Sequence, residues 1–240
     1  MKTQLLVSTN NSLLEVDHIF ICIEDAPKVE FFEQAGLIFA SPAVQQVERG
    51  TASQILFFEN FYLEFIWIED EVAAEIYAVR TGIDFLARSH WRQTQISPFG
   101  IALHQQSRAT SSLQEDEFRR SQPQKTELLL SFSSDNLVTQ TEPLCFVIPD
   151  AIALPTLLKN LPNFQKQFVS HPLRLRKMTG IEVSVTHTYP VTQPLSLLVE
   201  DGVVEVEQGT SPCLQLTFDN YMQRNILDAR AIGIPLVLKF

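Results

Sequence analysis

Apolar and polar positions in the first seventy residues follow two different periods. "VDHIFICIED" (16–25) and "SQILFFENFYLEFIWIED" (53–70) are dense in β-branched and aromatic residues and end in acids, so they read as buried strands, the second run folding back at Glu59 and Asn60. Between them, "APKVEFFEQAG" spaces Val29, Phe32 and Ala35 along one helical face. Asp25 serves as cap, Pro27 suits the first turn and Gly36 terminates the helix. With "VQQVER" as a further strand, the predicted unit is strand, helix, then two or three strands. Residues 71–92 place Val72, Ile76 and Val79 at helical spacing and predict a connecting helix that tolerates Gly82.

The order then repeats. "SPFGIALHQQ" (97–106) echoes the first strand, a polar stretch covers 107–125, and "TELLLSFSS" and "EPLCFVIPD" follow as strands. Matching Asp70 to Asp150 lays "YLEFIWIED" over "EPLCFVIPD", and matching Glu24 to Gln105 lays "DHIFICIE" over "PFGIALHQ", as expected of a duplicated module whose second copy is degenerate. Residues 151–178 mix the short helical pattern "LPTLLKNL" with Pro155, Pro162 and Pro172 and read as a linking arm. "GIEVSVTHT", "LSLLVE", "VVEVEQ", "CLQLTFDN" and "IPLVLKF" then predict a C-terminal extension of strands.

Composition narrows the partners. A net charge of -10 disfavours nucleic acid and anionic membranes, because both demand a positive patch. The only basic cluster is "HPLRLRK" at 171–177, where Arg174, Arg176 and Lys177 alternate like a solvated strand edge or form a cationic lip for an anionic substrate. Three widely spaced cysteines fit buried thiols in a reducing compartment. The first sixteen residues hold too few consecutive apolar positions for a signal peptide, and no run reaches membrane-spanning length, so the cytoplasm is the expected location. Nucleophile, phosphate-loop and dinucleotide motifs are absent.

One residue breaks the hydrophobic pattern. Glu64 stands mid-strand among Tyr, Leu, Phe, Ile and Trp, where a carboxylate is costly unless it is paired or serves a ligand. A buried ion pair with Arg49, Arg80 or His18 is the structural explanation. Strand alternation puts His18, Phe20 and Cys22 on one face, and Tyr62, Glu64 and Ile66 on one face of theirs. His18 is a pocket base, a metal ligand, or a buried imidazole bonded to Asp17 or Glu64. His104 ends a strand beside a polar loop, which favours the surface; His171, in a loop before Pro172, is a weaker candidate, and His90 and His187 read as structural or solvated.

"DHIFICIEDAP", "EFFEQAGL" and "RGTASQILFFENFYLEFI", in that order, resemble the glyoxalase-like members of the vicinal oxygen chelate (glyoxalase, bleomycin resistance, extradiol dioxygenase) superfamily. The match is close over residues 15–70, holds in order and hydrophobicity over 97–150, and finds an echo in "HPLRLRKMTGIEV" (171–183). The resemblance implies an α+β fold of paired βαβββ modules (about 15–70 and 97–150) forming a curled, barrel-like mixed sheet. The glyoxalase-like domain then covers 13–175 and the β extension 176–240. It implies a pocket inside the curl for a small oxygenated metabolite, with Glu64 and His18 as catalytic or metal-ligating residues and Tyr62, Phe20, His104 and Glu142 as substrate-binding ones. A divalent metal (Zn, Ni, Mn or Fe) and a homodimer belong to the same expectation. The second module departs from it, because Phe99 falls at the His18 position and Leu144 at the Glu64 position, leaving Glu142 and His104 as the only substitutes. Two protein ligands rarely hold a catalytic metal. The expectation is therefore a binding or transforming pocket without a complete metal site, ahead of a metal-dependent lyase, isomerase or dioxygenase, and ahead of a purely structural or oligomerisation module.

Overall fold

The computed structural model describes residues 14–105, 137–160, 168–187 and 190–240. The strand expected at "TELLLSFSS" and the polar stretch before it lie outside the described residues. The chain is of mixed α+β class, with one sheet of six strands and one of five.

The six-stranded sheet begins as the hydrophobic pattern predicts: β1 (Leu14–Cys22), α1 (Val29–Gln34), β2 (Ala40–Gln46), β3 (Thr51–Phe57) and β4 (Tyr62–Ile68). Its order is β2-β3-β4-β1-β5-β6, where β5 is Phe99–Gln105 and β6 is Leu144–Val147. β1 runs parallel to β4, antiparallel to β5, and β5 runs parallel to β6. α1 starts at Lys28 with no side-chain cap, so Asp25 does not have the capping role expected of it.

The helical stretch 71–92 is three helices rather than one: α2 (Glu71–Thr81), α3 (Phe85–Ser89) and α4 (Trp91–Thr94). Gly82, at φ 78°, ends α2 in the left-handed conformation that glycine adopts without strain. Asp70 and Asp84 then cap α2 and α3 by accepting the N–H groups of Ala73 and Ala87. The arm after β6 forms α5 (Leu154–Asn160).

The C-terminal part is β7 (Met178–Val185), α6 (Gln193–Glu200), β8 (Glu205–Gln208), β9 (Cys213–Phe218), β10 (Ile226–Asp228) and β11 (Leu236–Lys239). Its strand order is β10-β11-β9-β7-β8. The expected strand "LSLLVE" is α6, because Pro194 opens a helix there and Leu195 and Leu198, three apart, are buried together.

One apolar cluster joins the two sheets. Ile19, Ile21, Leu63, Phe65, Ile101 and Leu103 from the first sheet share it with Val183, Leu214, Leu216 and Leu238 from the second. Phe32 of α1 packs at 5.3 Å from Phe65 and 5.4 Å from Phe39, and each such buried ring contributes roughly 1.5–3 kcal/mol. The second sheet is therefore half of a common core rather than an appendage. Among the described residues neither sheet closes on itself, so the barrel-like closure expected from the resemblance is replaced by two open mixed sheets. No described helix is long and apolar enough to cross a membrane.

Candidate functional site

With its first face committed to the core, the six-stranded sheet presents a second face. Register places His18 beside Tyr62, Phe20 beside Glu64 and Cys22 beside Ile66. On the other side of β1, His18 opposes Ala102 and Phe20 opposes Gly100. Ser53, Ile55 and Phe57 of β3 oppose Ile66, Glu64 and Tyr62, and Leu144 and Phe146 of β6 lie beside Gly100 and Ala102. α3 covers one end of this face, where Phe20 meets Phe85 at 5.8 Å. α5 covers the other, where Leu154 and Leu158 cluster with Phe57 and Tyr62. Between the covers, Ile55, Tyr62, Glu64 and Phe146 are half-buried while their neighbours His18, Phe20, Phe57, Ala102 and Leu144 are buried.

A register shift between Val16 and His18 makes a β-bulge at Asp17. Val16 keeps to the core, and Asp17 joins His18 on the second face. The Asp17 carboxylate is fully buried. It lies 2.9 Å from His18 Nδ1 and accepts the Leu154 N–H, the first of α5, at 2.6 Å. His104 Nδ1 is 3.6 Å from Asp17 Oδ2, and His104 Nε2 is 3.5 Å from Glu15. His104 is thus buried in a carboxylate cluster, not at the surface as its place at a strand end suggests.

His18 is stacked on Tyr62, with ring centroids 4.4 Å apart and planes 15° from parallel. Asp17 fixes its Nδ1 as the protonated nitrogen, which leaves Nε2 as the basic one. Glu64 makes no hydrogen bond or ion pair among the described residues. Arg49 and Arg80, its expected counter-ions, instead lie over the Tyr77 ring at 5.9 and 5.4 Å. Burial, and then the Glu64 charge, hold the Tyr62 phenol far above its ordinary range, so it stays protonated. Burial pushes the Cys22 thiol up to about 12, with Glu64 adding to the shift. Ser53, not singled out by the sequence reading, is buried on this face with its Oγ lacking a partner among the described residues.

The other expected site residues lie elsewhere or are occupied. Glu142 is fully buried and its carboxylate accepts the Thr192 N–H at 3.0 and 3.1 Å and the Thr192 hydroxyl at 2.5 Å, with His187 Nε2 at 3.1 Å. It anchors the entry to α6 and is not available to a ligand on the second face. Phe99 belongs to the core cluster, so the residues of β5 that share the face of His18 are Gly100, Ala102 and His104. Phe20 is buried against Phe85 and Gly100 rather than open to a ligand. His171 is buried in a backbone cross-link, accepting from the Ile38 N–H and donating to the Phe57 carbonyl. Among the described residues no group of three or more His, Cys, Asp or Glu side chains is placed to hold a metal ion. Directly beside His18 and Glu64, β5 and β6 place Gly100, Ala102, Leu144 and Phe146, none of which can ligate, while His104, further along β5, is turned to Asp17 and Glu15.

No family model matches the chain, and no curated protein matches it. The fold is similar to the crystal structure of a hypothetical protein from Staphylococcus aureus, with a TM-score of 0.55 at 12% identity over 95% of this chain and 99% of that one. At that identity the likeness concerns the fold alone.

Proposed function

We propose that this is a glyoxalase-like protein that binds, and through His18 deprotonates, a small hydroxylated or keto metabolite on the second face of the six-stranded sheet, without a resident metal. The observation that carries the reading is Glu64: a carboxylate with no partner among the described residues, on an aromatic face, between two helical covers. Such a group is retained against its desolvation cost where a ligand supplies the missing hydrogen bonds. The parallel pairing of β1 with β4 and of β5 with β6, about the antiparallel β1–β5 pair, supports two modules of the vicinal oxygen chelate kind.

In this reading Asp17 orients His18 so that Nε2 takes a proton from the ligand, and the resulting imidazolium is stabilised by the Asp17 charge. Glu64 accepts a hydroxyl hydrogen of the same ligand, and protonated Tyr62 donates to its oxygen. Among the described residues no third ligand joins His18 and Glu64, which ranks this reading ahead of a metal-dependent lyase or dioxygenase.

Thermal melts of wild type, Glu64→Gln and His18→Ala, with and without a panel of small keto and hydroxy acids, test the proposal. Glu64→Gln is expected to melt at or above the wild-type temperature and to lose every ligand-induced shift. Destabilisation by roughly 3–5 kcal/mol, with no ligand response in any variant, would return Glu64 to a structural role. A divalent ion retained through dialysis by wild type and lost in Glu64→Gln would overturn the metal-free form.

A further inference from the structure

We propose that the groove between the turn at 169–177 and the β3–β4 hairpin binds the phosphate group of a small phosphorylated metabolite. The groove has a volume of about 570 Å³, and its lining includes Glu59, Ser170, Arg174, Leu175, Arg176 and Lys177. Three cations fall within four positions of a chain that carries 18 Lys and Arg against 28 Asp and Glu, so the local charge runs opposite to the whole. The cations are not equivalent. Arg176 is held by Glu59, with Nε at 2.6 Å and Nη2 at 3.4 Å from its carboxylate. Asp219 is occupied by the backbone N–H groups of Arg176 and Lys177, at 3.0 and 3.1 Å. Arg174, Lys177 and the Ser170 hydroxyl have no ion-pair or hydrogen-bond partner for their side chains among the described residues.

The backbone gives an independent sign of a ligand site. Arg174 sits at φ 60°, a left-handed conformation strained for a residue with a side chain. It is held there by its N–H bond to His171 O, by the Leu173 N–H bond to Gly36 O, and by the buried His171 ring bonded at both nitrogens. The turn that meets it repeats the strain, with Asp219, Asn220, Tyr221 and Arg224 all at positive φ. The two turns are tied by the Gln223 side chain, which donates to Leu173 O. Strain that the surrounding structure over-determines in this way is characteristic of ligand clamps.

The donor set selects the ligand. A guanidinium fork, an ammonium and a hydroxyl can serve the three terminal oxygens of a phosphate monoester, whereas a carboxylate offers two. A long polyanion is disfavoured, because beyond the groove it meets a protein of net charge -10. The groove shares no residue with the Glu64 face, so the two proposals stand or fall separately.

The test uses the full chain at low ionic strength, titrated by calorimetry with inorganic phosphate and glycerol phosphate, and in parallel with acetate, citrate and a single-stranded oligonucleotide. Saturable binding of the phosphates is expected. It should weaken roughly tenfold or more in Arg174→Gln and in Lys177→Gln, at unchanged melting temperature, and stay intact in Glu64→Gln. Arg174→Gly removes the cation while relieving the backbone, and is expected to bind as weakly as Arg174→Gln. Equal affinity in the variants, carboxylates binding as tightly as phosphates, a response to the oligonucleotide alone, or no saturable response would each overturn the proposal.

Discussion

His18 and His171 are both buried imidazoles, and their partners make them chemically different. His18 gives Nδ1 to a carboxylate and leaves Nε2 without a hydrogen-bond partner among the described residues. His171 has both nitrogens committed to backbone groups, accepting the Ile38 N–H at 3.0 Å and donating to Phe57 O at 2.8 Å. Only the neutral ring can do this, since a protonated Nδ1 would face another N–H. Burial accordingly holds the His171 pKa below its ordinary value of about 6.5, against a smaller upward pull from the Phe57 carbonyl. The native state therefore binds fewer protons than the unfolded one. The stability this contributes is complete above the unfolded value and is lost as pH falls through about 6.5 towards the depressed one. Melting temperatures taken from about pH 7 down to about pH 5 are expected to fall more steeply for wild type than for His171→Gln, and parallel curves would show that other groups set the slope. The residue's part was not legible in the sequence, because its partners stand 133 and 114 positions away. The half-buried place of Glu64 on an aromatic face was legible, because a charge interrupting a run of aromatics is a local signal.

At the scale of elements, β5 shows how a small residue can be required by a neighbour. A Cβ on Gly100 would lie 2.1 Å from the Phe20 ring, which occupies that space beside Glu64. Gly100→Ala is expected to lose about 1–3 kcal/mol in denaturant melts by displacing Phe20, and a neutral result would mean the ring has room to move. The same strand explains a misplaced correspondence. Setting Phe99 against His18 is a slip of one residue, and in a strand that reverses every face. In α2, Val72, Ile76 and Val79 have the helical spacing that predicts the helix, yet they are 66%, 63% and 90% exposed, while Ala74 faces inward. Ile76→Lys is expected to change stability by no more than about 0.5 kcal/mol. Apolar spacing revealed the helix without showing which of its faces packs inward. In α6, six residues of "LSLLVE" satisfy either period, and the deciding signal was Pro194 rather than hydrophobicity.

Across the whole molecule, β1 is the organising element, bonded to β4 on one side and β5 on the other, with the second sheet packed beneath it. The order of the first unit could be read from the chain because its strands are long and its helix short. The joining of the two sheets into one core could not, because the pairing of distant apolar faces leaves no mark on local pattern. Nor could the bulge at Asp17, which changes strand parity without changing composition. That bulge has a kinetic consequence. The Leu154 amide, bonded to a fully buried carboxylate 137 positions earlier, can trade its hydrogen with solvent only when α5 parts from the sheet. Its exchange rate is thus a clock for how often the cover over Tyr62 lifts. In Asp17→Asn that clock is expected to run fast while the amides of Ile19 and Ile21 keep their slow rates. If all three accelerate together, the carboxylate fastens the entire fold and not one helix.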